Sequence, residues 1–297
     1  MIEVRGLRKE YGGFVAVEGS DFDVERGEVF GVIGPNGAGK TTTLKTLAGL
    51  VEPTAGSVSI DGQRVDSRET RRLLGFLPEE SPLYEEMSPR SYLRFFADLY
   101  DVPREVADDR IGKTLDRLEL AHRDRALGDM SKGMKRKVAI ARSLVNDPAV
   151  LIYDEPASGL DPLTTNYIIE FTKELAAEGK TIVFSAHNLY HVEEVCDRIA
   201  IMNEGRIVTK GPLSELRETY GETEYHVFTT VSVPRAVEDG DRYLAVVDDM
   251  ASVEAIREIA VERGGRIDDI RTVEPSLEGL FLDVAGAEDG REGATGA

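Results

Sequence analysis

Gly34-Pro35-Asn36-Gly37-Ala38-Gly39-Lys40-Thr41-Thr42 fits the pattern G-x-x-x-x-G-K-[ST], a loop suited to wrapping the phosphates of a nucleoside triphosphate. Its flanks fit as well. Val29-Phe30-Gly31-Val32-Ile33 reads as a buried strand entering the loop, and residues 41–50 read as a helix leaving it. Glycines let successive backbone N–H groups turn inward at a helix N-terminus, where those groups and the helix dipole attract an anion. In that geometry Gly34, Asn36, Gly37, Ala38, Gly39 and Thr42 form the cradle. Lys40 reaches the β- and γ-phosphates, and the Thr41 hydroxyl ligates Mg²⁺.

Composition bounds what surrounds this loop. A chain of 297 residues, 41% of them hydrophobic, has room for one large domain, or for a large one plus a small one. No apolar run approaches the roughly 18 to 20 residues needed to cross a bilayer. The start, Met1-Ile2-Glu3-Val4-Arg5, lacks a signal-peptide pattern. Cys196 is the sole cysteine, so no disulfide forms within the chain, which suits a reducing cytoplasm. The formal net charge of −19 points to a halophilic source. It also argues against nonspecific binding along a nucleic acid backbone, which needs a basic face.

Around the loop the chain alternates strands and helices. Residues 2–33 read as several short strands, Phe14–Val17 and Phe22–Val24 among them, and Asp61-Gly62 between Ser57–Ile60 and Gln63–Val65 is a hairpin signal. Residues 88–146 turn helical. Ser88-Pro89 is a cap followed by a first-turn proline, Tyr92 to Tyr100 carries an apolar stripe, a second helix lies around Arg110–Leu120 and a third begins near Ser131. Ala149–Tyr153 reads as a strand buried on both faces. A helix over Thr164–Glu178, a strand over Thr181–Ser185, a helix over Leu189–Cys196 and strands over Arg198–Met202 and Arg206–Val208 follow. Such alternation predicts an α/β fold with a mostly parallel sheet covered on both sides. From about Tyr220 the pattern becomes a small α+β unit, with strands at Tyr225–Val233, Arg242–Val247 and Arg266–Val273 and helices at Ser252–Arg263 and Ser276–Asp283. Residues 285–297, poor in apolar residues, read as a disordered tail.

An acidic pair, Asp154-Glu155, stands at the end of the second buried strand. Beside a phosphate loop the two carboxylates have separable tasks. Asp154 holds Mg²⁺, usually through water, because that ion keeps much of its hydration shell. Glu155 orients and polarises the water that attacks the γ-phosphate, since phosphoryl transfer depends on positioning and on charge stabilisation.

Between the phosphate loop and the acidic pair lies Met130-Ser131-Lys132-Gly133-Met134-Lys135-Arg136-Lys137. Here the chain resembles the ATP-binding-cassette (ABC) family, whose signature reads L-S-G-G-Q. Ser131 and Gly133 match that signature, while Lys132 and Met134 depart from it in a form similar to that of single-cassette exporter ATPases. Lys132, Lys135, Arg136 and Lys137 form a basic cluster in an otherwise acidic chain, suited to meeting a triphosphate. The resemblance covers roughly residues 1–215 and implies a P-loop NTPase (RecA-like) core, an antiparallel β subdomain and a helical subdomain over about residues 80–146. A small C-terminal domain over residues 220–284 completes the expected organisation. The resemblance makes Tyr11 the aromatic that stacks on adenine, Ser158-Gly159-Leu160-Asp161 a dimer-contact loop, and His187 the switch histidine that hydrogen-bonds the γ-phosphate. The family's glutamine that senses Mg²⁺ aligns with Glu79, a carboxylate that offers the ion an oxygen and adds charge beside the γ-phosphate.

The same resemblance implies two ATP molecules bound between head-to-tail copies, with Ser131 and Gly133 of each copy closing over the nucleotide of the other. It implies a transporter whose multi-helix permease is a separate chain, docking near Pro82–Tyr100, with this chain peripheral on the cytoplasmic face of the membrane. The C-terminal unit resembles the extension of exporter cassettes that stabilises or regulates the dimer. A soluble ABC ATPase working on ribosomes or nucleic acid is the competing class. That class usually carries tandem cassettes, long coiled-coil arms or basic extensions, none of which this sequence shows.

Overall fold

The computed structural model describes residues 1–186, 188–220 and 223–273. The chain enters through β1 (Ile2–Tyr11) and β2 (Phe14–Val24), a long antiparallel hairpin, and passes into β3 (Val29–Ile33) and α1 (Lys40–Leu47). Next come β4 (Ala55–Ile60) and β5 (Gln63–Arg64). Asp61 and Gly62 join them with φ of 50° and 76°, the left-handed pair that a two-residue hairpin turn requires. After α2 (Arg68–Arg72) and β6 (Leu74–Leu77) the chain is helical through α3 (Pro89–Leu99), α4 (Arg104–Arg117) and α5 (Lys132–Ser143). Alternation resumes with β7 (Val150–Asp154), α6 (Pro162–Ala177), β8 (Thr181–Ser185), α7 (Leu189–Val195), β9 (Arg198–Asn203) and β10 (Arg206–Pro212).

Met1–Leu213 form one unit and a second begins at Ser214. In the first, β10-β9-β3-β8-β7-β6 make a six-stranded sheet, parallel except for β10, while β2-β1-β4-β5 make an antiparallel sheet. Every residue of β3, β7 and β8 is buried, as continuous apolar runs demand when helices cover both faces of a parallel sheet. Phe22 of β2 stacks on Phe30 of β3 with ring centroids 5.2 Å apart, inside an apolar core to which α1 adds Leu44 and Leu47.

α8 (Leu213–Tyr220) begins at the boundary, and the second unit goes on through β11 (Glu224–Thr229), β12 (Val237–Asp239), β13 (Arg242–Val247), α9 (Met250–Glu262) and β14 (Ile267–Val273). Its sheet runs β12-β13-β11-β14, all antiparallel. Val253, Ile256 and Ala260 of α9 pack with Val227 and Ala245 from one face of that sheet.

Two sequence expectations need correction, and two short elements went unread. Phe14–Val17 and Phe22–Val24 are one strand, β2, because register shifts against β1 interrupt the two-residue period. The second helix starts at Arg104 rather than near Arg110. β6 and the short α2 escaped the sequence reading altogether, β6 being only four residues long. The helix expected at Ser276–Asp283 and the tail at 285–297 lie outside the described residues.

Candidate nucleotide site

Parallel strands end on the same side of their sheet, and that geometry assembles the site. β8 lies between β3 and β7, with Ser185 paired to Val32 on one side and to Asp154 on the other. The phosphate loop leaving β3 and the acidic pair ending β7 therefore face one crevice, the usual ligand position in an open α/β sheet. A cavity of about 480 Å³ opens there, lined by Phe14, Ala16, Asn36, Gly37, Ala38, Gly39, Lys40, Thr41, Thr42, Glu79 and Glu155.

The loop's shape depends on residues without side chains. Gly39, which caps α1, has φ of 96°, and a Cβ placed on it would stand 2.4 Å from the Ala16 carbonyl oxygen. A Cβ on Gly34 would stand 2.2 Å from the Met202 carbonyl oxygen. The loop is thus wedged against β2 and β9. Lys40 is buried, and its ammonium donates to the carbonyls of Gly34 (2.8 Å) and Pro35 (3.1 Å). Burial holds the Lys40 pKa below the ordinary lysine value, and the charges of Glu155, Asp154 and Glu79 oppose that shift.

Asp154 is wholly buried. Its Oδ1 accepts a 2.8 Å hydrogen bond from Ser185 Oγ, whereas its buried Oδ2 takes none from any described residue. A buried carboxylate oxygen left in that condition suits a hydrated divalent cation. Among the described residues no three His, Cys, Asp or Glu side chains converge closely enough to hold an ion alone. The donor set therefore fits Mg²⁺, which binds through one or two protein groups plus water and phosphate oxygens. Glu155, also buried, has a left-handed backbone with φ of 50°. Its N–H donates to Ser185 Oγ (3.0 Å) and to the Ser185 carbonyl (3.2 Å).

Arg136 departs from its expected role. Instead of joining Lys132, Lys135 and Lys137 in a basic surface, it turns inward and is buried. Its Nε donates to the Pro156 carbonyl at 2.6 Å. Its Nη1 donates to the carbonyls of Pro78 (2.7 Å) and Glu79 (2.9 Å) and to Ser81 Oγ (3.4 Å). Its Nη2 donates to the carbonyls of Asp154 (3.2 Å) and Glu155 (2.6 Å). Burial pushes its pKa down to about 10, against the pull of Asp154 and Glu79, so the guanidinium stays charged at neutral pH. Lys135 pairs with Glu85 at 3.1 Å, and Lys137 lies 3.9 Å from the centre of the Tyr167 ring. Helical spacing carried the signal, because Arg136 falls one turn before Ala139 and Ile140 on the buried face of α5.

The other expected residues divide into two groups. Glu79 reaches the cavity wall. Tyr11 does not; the aromatic on the wall is Phe14, its register partner across the β1–β2 hairpin, and sequence reading passed Phe14 over as an ordinary strand residue. Ser131 caps α5, its Oγ accepting from Met134 N at 3.2 Å, and is exposed. Neither Ser131 nor Gly133 is among the described residues that line the cavity of their own chain. His187 lies outside the described residues.

Comparison with known proteins places these features in a family. The family described as ABC transporter matches residues 17–158. An uncharacterized ABC transporter ATP-binding protein of Nostoc sp. is 36% identical over 292 residues, covering 93% of this chain and 84% of its own. A Nod factor export ATP-binding protein of Burkholderia orbicola is 39% identical over 221 residues, 73% of each chain. The dimeric structure of MJ0796, a bacterial ABC transporter cassette, superposes with a TM-score of 0.66 at 26% identity, covering 72% of this chain and 99% of that one.

Proposed function

The chain belongs to the ABC transporter family as an ATP-binding, ATP-hydrolysing subunit, and from that premise we propose that it drives a membrane exporter as one half of a head-to-tail pair. One observation carries this reading. The cavity gathers the phosphate loop, Glu79 and Glu155, while Ser131 and Gly133 stand elsewhere, at the exposed start of α5. The first amides of a helix have no partner within the helix itself, so its N-terminus is a natural seat for an anion. Seated on the triphosphate of a second copy, it completes that copy's site, and two nucleotides hold the pair together.

Within each site the chain's own groups divide the chemistry. The phosphate-loop amides and Lys40 hold the β- and γ-phosphates, and Phe14 offers an apolar face to the base. Thr41 and Asp154, with Glu79 nearby, are the groups that would hold Mg²⁺, which when bound neutralises charge between the β- and γ-phosphates. Glu155 polarises the attacking water, and His187 is assigned to the γ-phosphate on family resemblance. Hydrolysis then removes the shared γ-phosphates and lets the pair reopen.

No helix among the described residues is long and apolar enough to cross a membrane, so the pore in this reading belongs to a separate multi-helix permease and this chain sits against its cytoplasmic side. The docking surface is the segment Pro82–Tyr100, which follows Glu79 along the chain and in which Tyr84 and Leu99 are exposed. Export is favoured by the likeness to a Nod factor export ATP-binding protein. The test is direct. Glu155→Gln, which should bind ATP without cleaving it, is expected to form an ATP-dependent dimer in light scattering, and the native chain should co-purify with a multi-helix membrane protein. A monomeric Glu155→Gln protein at saturating ATP removes the head-to-tail scheme, and co-sedimentation with ribosomes in place of a membrane partner removes the exporter.

A further inference from the structure

Glu155 carries its carboxylate on a strained peptide. A φ near 50° is uncommon for a side-chain-bearing residue, and of the seven described residues that adopt a positive φ without being glycine, Glu155 is the one on the cavity wall. Both backbone groups of Glu155 are held. Ser185 takes the N–H through Oγ and its carbonyl, and Arg136 Nη2 takes the C=O at 2.6 Å. The same guanidinium reaches across to the carbonyls of Pro78 and Glu79, the segment that brings the Glu79 carboxylate to the cavity. Arg136 itself is not on the cavity wall.

We propose that Arg136 is a positioning residue for ATP hydrolysis: it clamps the peptides of Glu155 and Glu79 so that both carboxylates face the γ-phosphate position. The inference rests on the reading of Glu155 as the water-polarising group. A planar fork of five N–H donors is needed because the carbonyls it joins lie on two separate segments. An ammonium has three donors radiating from one point and serves one segment at a time. The phosphate loop, which sets nucleotide affinity, makes none of these contacts. Loss of the clamp therefore falls chiefly on turnover, while binding, held mainly by the loop and Lys40, changes little even though Glu79 and Asp154 lie near the Mg²⁺ position.

The test uses the 297-residue chain and compares Arg136→Met, Arg136→Lys and Glu155→Gln for steady-state turnover, Mg-ATP affinity by equilibrium titration, and thermal midpoint. We expect kcat to fall about 100-fold in Arg136→Met, the scale of an ångström-sized misplacement of a reacting group. A smaller fall is expected in Arg136→Lys, with the Kd for Mg-ATP within about threefold of native in both. If Arg136→Met does not fold, Arg136→Lys decides on the same criteria. A kcat within twofold of native, or losses of affinity that match the losses of kcat, overturns the inference. Glu155→Gln separates the two claims. If it still turns over, the assignment of Glu155 fails; if it is dead while the Arg136 variants turn over normally, only the clamp fails.

Discussion

Ser185 Oγ donates a 2.8 Å hydrogen bond to Asp154 Oδ1 and accepts one of 3.0 Å from Glu155 N, so a single buried hydroxyl on β8 orients both members of the acidic pair on β7. Replacing it should be felt in stability and in metal binding together. Ser185→Ala leaves a wholly buried carboxylate oxygen without its donor, a loss of about 1 to 3 kcal/mol. Urea unfolding measures the first effect, and Mg²⁺ titration of nucleotide-bound protein should show weakened affinity. An unchanged unfolding midpoint would mean that water replaces the hydroxyl at no cost.

Phe14 and Tyr11 can be told apart by nucleotide affinity. Base–aromatic stacking contributes about 1 to 3 kcal/mol on alanine substitution. Phe14, 66% exposed on the cavity wall, is therefore expected to lose about five- to 150-fold in ATP affinity as Phe14→Ala. Tyr11→Ala, across the hairpin and off the wall, should lose less. Fluorescence titration with ATP and with inorganic triphosphate separates the base contact from the phosphate contact. The reverse ranking would put the base over Tyr11.

Lys40 gives the site an alkaline limit whose direction can be worked out. Burial disfavours its ammonium and lowers its pKa in the folded chain, while Glu155, Asp154 and Glu79 partly restore it. Above the folded pKa the ammonium is lost and triphosphate binding weakens. Glu79→Gln removes one of the restoring charges, so the alkaline limb of kcat/KM, which reports the free enzyme, should move to lower pH. The stability effect has the opposite sense. With its folded pKa depressed, Lys40 opposes folding while charged, and that penalty is relieved as pH rises toward the ordinary lysine value of 10.5. A limb that stays in place in Glu79→Gln would show that Glu79 and Lys40 do not interact.

Ser131 has two roles that one substitution can separate. Aspartate is as good an N-cap as serine, so Ser131→Asp should keep α5 and the thermal midpoint intact. It also sets a negative charge where a second copy's triphosphate is to sit. In the Glu155→Gln background the ATP-dependent dimer should disappear. A dimer that persists would place the exposed start of α5 outside the interface.

Much of this was legible in order along the chain. The phosphate loop could be read because its letters encode local backbone geometry: glycines where a Cβ would strike a neighbouring carbonyl, a lysine at the first turn of α1 and a hydroxyl after it. Val150–Asp154 could be read because a strand covered on both faces has to be apolar throughout. Short or interrupted elements were less visible. The bulged β2 loses its alternation, and the four residues of β6 resemble any apolar tetrapeptide.

The sequence by itself determined that this chain is an α/β P-loop ATPase of the ABC family, because those marks are set by residues close together along the chain. The tertiary structure alone decided which of four neighbouring basic residues turns inward, that Phe14 rather than Tyr11 faces the cavity, and that Ser185 serves Asp154. These depend on strand order and register, which bring together groups dozens of residues apart. Arg136 shows the reason most plainly. As a letter beside three other basic residues it reads as surface charge, and only the meeting of α5 with the ends of β6 and β7 supplies the carbonyls that make burying a guanidinium favourable.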